Sequence, residues 1–148
     1  MREAESGAAS RLDGVLAWNF TRAARLIGNR LADRLDVHGM NPIQFGVLAF
    51  LARDEELTTA EIARAVLLRP QSVVPLLDQL EARGLTRRTG GRERGRRNPV
   101  QITARGRAAL EDVWTIAEET NDLTDVGLTP IESEELNRLL LKVIGPTG

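Results

Sequence analysis

The apolar positions of this chain change period several times, and each change marks an element. From about Ser10 to Asp36, Leu12, Val15, Leu16, Phe20, Ala23, Ile27, Leu31 and Leu35 recur at three- and four-residue spacing, the period of an amphipathic helix. One continuous helix over that span is about 40 Å long, more than a small globule needs to cover itself, so it is expected to pack on a partner. Asn41-Pro42-Ile43-Gln44 then reads as a fresh helix start. Asn caps, Pro fits the first helical position, and Gln three residues after the cap can return a hydrogen bond. Phe45, Leu48, Ala49 and Leu51 supply that helix with an apolar side.

The clearest start is Leu57-Thr58-Thr59-Ala60-Glu61-Ile62, where Thr58 and Glu61 have the spacing of a capping box and Leu57 and Ile62 that of a hydrophobic staple. The short helix it opens is expected to end near Leu68. Another begins at Pro70, buries Val73, Leu76, Leu77 and Leu80, and stops at Gly84, a suitable residue just beyond a helix end. Beyond Gly84 the period becomes that of strands, in Leu85–Thr89 and Pro99–Thr103, with a glycine-rich basic hairpin tip between them. Thr103 caps a further long helix carrying Leu110, Val113, Trp114, Ala117 and Leu123, and Leu128-Thr129-Pro130-Ile131-Glu132 opens the last, with Leu136, Leu139, Leu140 and Val143. The predicted fold is mainly α with a small β-wing. A winged helix-turn-helix over 41–103 is flanked by long helices over 10–40 and 104–146, whose apolar stripes lack a core of their own and point to dimerisation.

Composition narrows the chemistry. The 148 residues hold no Cys, no Tyr and one His, His38. Disulfide scaffolds, thiolate nucleophiles and zinc sites built on Cys are therefore excluded. No apolar run approaches the roughly 18 residues needed to span a bilayer, and the N-terminus lacks a signal-peptide apolar region, so the expected location is cytoplasmic, with no membrane partner, metal or cofactor. No phosphate-cradling glycine motif and no paired carboxylates flanking a pocket are present, and Asp54-Glu55-Glu56 reads as a solvated turn, so an enzyme is not expected. Net charge is −1, yet Arg83, Arg87, Arg88, Arg92, Arg94, Arg96 and Arg97 crowd one segment against the single Glu93. A local block of that kind is what phosphates attract.

Several of these stretches together resemble the MarR family: Leu57-Thr58-x-x-Glu61-Ile62-Ala63, Ser72-Val73, Leu77-Asp78-x-Leu80-Glu81-x-x-Gly84-Leu85, Arg96, and Ile102-Thr103-x-x-Gly106. The likeness covers Met40 to about Leu110 and continues more loosely through Leu128-Thr129-Pro130-x-Glu132. It implies a homodimer interlocked through its first, fifth and sixth helices, and effector-responsive repression or activation of genes. The chain departs from the family pattern at Pro75, where a basic residue is usual in the recognition helix, and at Arg94, where an Asp usually stands two positions before the wing arginine.

In a helix-turn-helix the second helix enters the major groove with its N-terminal residues at base edges. With Val73, Leu77 and Leu80 inward, Gln71, Ser72, Val74, Pro75 and Gln79 face out. Gln pairs in bidentate fashion with adenine, and Val74 and Pro75 can pack on thymine methyls, so an A·T-tolerant half-site is expected, repeated in inverted orientation about one helical turn away. Arg69 and Arg88 are assigned to phosphates, and Arg92, Arg94, Arg96 and Arg97 to the wing, which in this family reaches the minor groove. Trp18, Arg22, His38 and Phe45 offer an aromatic wall, a cation and a titratable group for a small aromatic or phenolic effector. The competing assignment is a winged-helix adaptor whose arginines meet an acidic protein rather than double-stranded DNA.

Overall fold

In a computed structural model, which describes residues 2–89 and 99–146 and the side chains among them from Gly7 onward, the first amphipathic run is broken. Helix α1 (Arg2–Leu12) and helix α2 (Leu16–Asp36) replace the single helix expected from Ser10. Glycine inside a helix costs about 1 kcal/mol relative to alanine, and Gly14 sits at the break. Its N–H turns to the Arg11 carbonyl and that of Val15 to the Leu12 carbonyl. The Asn19 side-chain amide donates to the Asp13 carbonyl at 2.8 Å, closing the corner from the other side.

Helix α3 (Pro42–Asp54) begins as its sequence predicts: the Gln44 N–H donates to Asn41 Oδ1 at 2.8 Å, and the Asn41 N–H to Gln44 Oε1 at 3.0 Å. It ends at Glu55, whose φ of 66° lies in the left-handed region that few non-glycine residues occupy. The next two residues correct the sequence reading. Glu56, read with Asp54 and Glu55 as a solvated turn, instead forms with Leu57 a short strand, β1 (Glu56–Leu57). Helix α4 (Thr59–Ala65) is capped by Thr58, which accepts from the Glu61 N–H. The return arm differs from a full capping box, because Glu61 Oε1 accepts from the Thr58 hydroxyl at 2.9 Å. Helix α5 (Pro70–Ala82) follows, then β2 (Thr86–Arg88), β3 (Val100–Ile102), α6 (Ala104–Glu119), a 3-10 turn at Thr124–Val126 and α7 (Pro130–Ile144). Leu123, expected on the helix after Thr103, is buried in the connection beyond its end. At α7 the predicted cap is complete, Thr129 and Glu132 exchanging bonds of 3.0 and 3.2 Å.

The strands form one antiparallel sheet in the order β1-β3-β2, with Leu57 opposite Val100 and Arg88 opposite Val100 on the other side. The core lies between α3, α4, α5 and this sheet: Leu48, Leu51, Ile62, Val73, Leu77, Leu80 and Val100 are all essentially inaccessible. Alpha-helical α2 and α6 pack on each other and α6 on α3, but α2 buries only Leu35 fully and α7 buries nothing fully. Ion pairs tie α2 to the chain beyond it, from Arg30 to Asp125 at 2.5 Å and from Arg34 to Glu119. Arg30 holds the Asp125 carboxyl below the usual carboxylate range through that hydrogen bond. Exposed pairs of this kind contribute little. What α2 and α7 would bury is left uncovered in the single chain.

Where α6 leaves the sheet, Thr103 accepts from the Gly106 N–H at 3.0 Å and donates to the Gly84 carbonyl at 2.6 Å. A Cβ at Gly106 would lie 2.1 Å from the Leu85 carbonyl oxygen and 2.8 Å from Ile102. The close crossing of β2, β3 and α6 thus requires glycine there. Gly106→Ala is expected to destabilise the fold by about 3 kcal/mol, the upper end for overpacking, and to lower the melting temperature by roughly 6–12 °C. Chemical and thermal denaturation of the two proteins would measure this, and an unchanged midpoint would contradict the crossing.

Candidate nucleic-acid interface

The α4–turn–α5 unit is positioned from inside. Ile62 and Ala63 of α4 and Val73, Leu77 and Leu80 of α5 enter the common core. The turn between them passes through Leu67 at φ 58°, and Pro70 supplies the first residue of α5 with Arg69 as its cap position. Pro75 lies inside α5, yet the helix runs on to Ala82. An interior proline costs about 3 kcal/mol, whereas burying Val73, Leu77 and Leu80 contributes about 1.5–3 kcal/mol each. Packing therefore outweighs the lost bond to the Gln71 carbonyl.

With that face inward, Arg69, Gln71, Ser72, Val74, Pro75 and Gln79 are all exposed. At 100° per residue, Gln71, Pro75 and Asp78 share the line opposite the buried stripe. Asp78 is the residue sequence reasoning passed over. Its i+7 spacing from Gln71 was the available signal, and its side chain is 59% exposed. No Lys or Arg occurs between Pro70 and Ala82, so α5 carries only the carboxylates of Asp78 and Glu81.

The basic segment behaves differently from one residue to the next. Arg83 donates to the Gly39 carbonyl at 2.6 Å, tying the end of α5 to the turn after α2. Arg87 donates to Gln101 Oε1, and Gln101 in turn donates to Glu56, linking the three strands across their exposed face. Arg88, assigned from sequence to phosphates, reaches back from β2 to α5, 2.7 Å from Asp78 Oδ1 and 2.6 Å from Glu81 Oε2. The Asp78 hydrogen bond raises its pKa above the ordinary arginine value, against a smaller opposing effect of burial. Arg92, Arg94, Arg96 and Arg97 lie outside the described residues.

Of the four residues assigned to an effector, Trp18, Arg22 and His38 are exposed and Phe45 is half-buried against the core. Phe45 stacks with Trp114 of α6, ring centroids 5.4 Å apart and planes at 45°, within the range of favourable aromatic pairs. Trp114 had been read only as part of an apolar stripe. A cleft of about 350 Å³ lies elsewhere, between the end of α3, β1, α4 and the end of α7, with Arg53, Leu57, Arg64, Leu67 and Ile144 in its walls and none of those four. Among the described residues no cluster of three His, Asp or Glu is arranged to hold a metal ion. None of their helices is long and apolar enough to cross a membrane.

The family model described as MarR family matches residues 38–97, a span that includes α3, β1, α4, α5 and β2. Over those residues the chain is similar to the MarR family of winged-helix transcription regulators. It is 27% identical over 131 residues to the HTH-type transcriptional repressor Rv2887 of Mycobacterium tuberculosis, covering 88% of this chain and 94% of that one. It is 29% identical over 124 residues to the HTH-type transcriptional regulator MhqR of Bacillus subtilis, covering 83% and 85%. Among solved structures it is similar to the M. tuberculosis MarR family protein Rv2887 in complex with DNA, at a TM-score of 0.71 and 25% identity over 86% of this chain and 96% of that one. The same protein in complex with salicylic acid aligns at a TM-score of 0.68 and 26% identity over 86% and 95%.

The aromatic pair gives this chain a local reporter. The sequence has two tryptophans, so Trp18→Phe leaves Trp114 alone. In that background Phe45→Ala is expected to shift the emission to the red as Trp114 loses its ring neighbour, and to lower stability by about 2 kcal/mol, below the 3–5 of a fully buried phenylalanine. Emission unmoved by Phe45→Ala would show that the two rings do not meet in solution.

Proposed function

We propose that this chain is a DNA-binding transcriptional repressor that reads an inverted-repeat operator as a homodimer and is released by a small aromatic acid. The observation that carries the DNA part is the outward face of α5. Gln71, Ser72, Val74 and Pro75 are exposed together at the N-terminal end of the second helix of a helix-turn-helix, where base contacts are made. A relative sharing 25% of its residues is known in complex with DNA. Gln71 pairs with adenine and Val74 and Pro75 lie against thymine methyls, an A·T-tolerant reading in which an apolar contact stands where the family more often places a cation. Arg69 and the wing residues Arg92, Arg94, Arg96 and Arg97 bind the backbone and the minor groove.

Dimerisation is supported by what the single chain leaves uncovered. Leu16, Phe20 and Leu26 on α2, and Ile131, Leu141 and Val143 on α7, are each at least half exposed, and large apolar side chains left open on two long helices favour an interface. In this reading residues 10–40 and 104–146 form the dimer body and 41–103 the DNA-binding lobe. The effector class follows from the relative bound to salicylic acid, with Trp18, Arg22, His38 and Phe45 as its candidate contacts and Trp114, the ring partner of Phe45, beside them.

One observation favours a second reading. Between its caps α5 holds two carboxylates and no cation, a composition poorly suited to phosphates, and a winged-helix adaptor whose arginines meet an acidic protein would not select DNA. Titrating the protein with its own upstream DNA across a salt series separates the two. Repression predicts tight, sequence-selective binding that weakens steeply as salt rises, with a log–log slope of roughly −0.9 per phosphate neutralised, and Arg96→Ala reduces the slope. Weak binding indifferent to sequence would favour the adaptor. Sedimentation is expected at twice 16.3 kDa, and Leu139→Glu, on the exposed side of α7, shifts it toward the monomer. A wild-type chain that sediments as a monomer would remove the inverted-repeat operator.

A further inference from the structure

We infer that Arg88 is a positioning residue that masks the carboxylates of the recognition helix, and not one of the groups that hold phosphate. The inference rests on the DNA-binding reading for its consequence, but its geometry is independent of DNA. Asp78 lies on the same line of α5 as Gln71 and Pro75, in the middle of the surface that would face the duplex, and Glu81 flanks it. A helix carrying two bare carboxylates and no cation is repelled by phosphates within a Debye length of about 10 Å at 0.1 M salt. Arg88 answers both charges at once, 2.7 Å from Asp78 and 2.6 Å from Glu81, using its two terminal nitrogens in the forked arrangement a guanidinium favours.

The contact also crosses elements. Arg88 belongs to β2, opposite Val100 of β3, whereas Asp78 and Glu81 belong to α5. The pair of bonds therefore fixes the base of the wing to the recognition helix, so that the two DNA-facing parts share one orientation. The turn between them, Arg83 to Leu85, is closed by the Gly84 N–H on the Glu81 carbonyl and the Leu85 N–H on the Leu80 carbonyl. It sets the spacing of β2 and α5, and Arg88 sets their rotation. A guanidinium engaged in this way donates its strongest directions inside the protein, which leaves the phosphate contacts to other arginines.

The test compares wild type, Arg88→Gln, Asp78→Asn and the double variant Asp78→Asn/Arg88→Gln, which keeps the wild-type charge. Binding to a selected operator duplex at about 0.1 M salt is expected to fall about tenfold in Arg88→Gln, to stay within about threefold in Asp78→Asn, and to return within about threefold of wild type in the double variant. Equal weakness of Arg88→Gln and the double variant would show Arg88 meeting the DNA directly, and wild-type binding by Arg88→Gln would show the mask to be idle. Either result overturns the inference. Amide exchange on the free proteins tests the geometry without DNA: Arg88→Gln should exchange faster at Thr86–Arg88 and Asp78–Ala82, and unchanged rates overturn the clamp. Wild-type protein that selects no duplex while exchange is faster in the variant would reject the repressor and the masking role of Arg88, and leave the clamp as a purely structural one.

Discussion

The structure depends on how α5 is held. Val73, Leu77 and Leu80 are sealed against Ile62, Leu48 and the sheet, and because their spacing is helical, sealing them dictates everything the rest of the helix presents. Gln71, Pro75 and Asp78 point outward because the other side has no freedom to rotate. The same packing explains why Pro75 does not end the helix: the burial of three apolar side chains exceeds the cost of one missing backbone bond. A face that would be unstable in an isolated peptide is thereby displayed with fixed geometry.

A second constraint acts on the flanks. The lobe is complete in one chain, its core closed by Leu57 and Val100 from neighbouring strands, whereas the amphipathic helices α2 and α7 leave several large apolar side chains exposed. The two halves thus have different requirements. The lobe shares its core with Leu35 of α2 and with Leu110 and Val113 of α6, while the outer faces of the body are left for whatever covers them. A regulator in which the lobes are stiff and the body is completed by a second copy would respond to a ligand mainly by changing the distance and angle between lobes, since close-packed interiors transmit displacement rather than absorb it.

Most of the lobe was legible because its signals are local. Asn41 with Gln44, and Thr129 with Glu132, lie three residues apart and make the reciprocal bonds their spacing allows. The stripe of α5 is a single-helix period. What escaped reading depended on partners distant in the chain. Strand β1 is two residues long and exists only because Glu56 and Leu57 meet Gln101 and Val100; two residues have no period. The break at Gly14 was masked by apolar spacing that runs on across it, although the Asp-Gly pair itself was a usable sign. At the candidate interface, exposure of Gln71, Ser72, Val74, Pro75 and Gln79 followed directly from the buried stripe. The pairing of Phe45 with Trp114, across elements, could not follow from either helix alone.

The basic segment shows why a count of charges is a poor guide to binding. From sequence, Arg83, Arg87 and Arg88 belong to one block with the arginines of the wing. In the folded chain these three have structural partners: a carbonyl at the end of a neighbouring turn, a glutamine bridging strands, and two carboxylates of the recognition helix. Each of those bonds braces an element that a DNA-binding lobe must keep rigid, and the charge of Arg88 is answered by its two carboxylates. In the proposed repressor the electrostatic attraction therefore falls to arginines other than Arg88, Arg69 and those from Arg92 to Arg97 among them, and the first half of the block also holds the reading helix and the wing in register. A near-neutral protein can bind a polyanion on those terms, because salt-dependent affinity counts the phosphates neutralised at the contact and not the net charge of the chain.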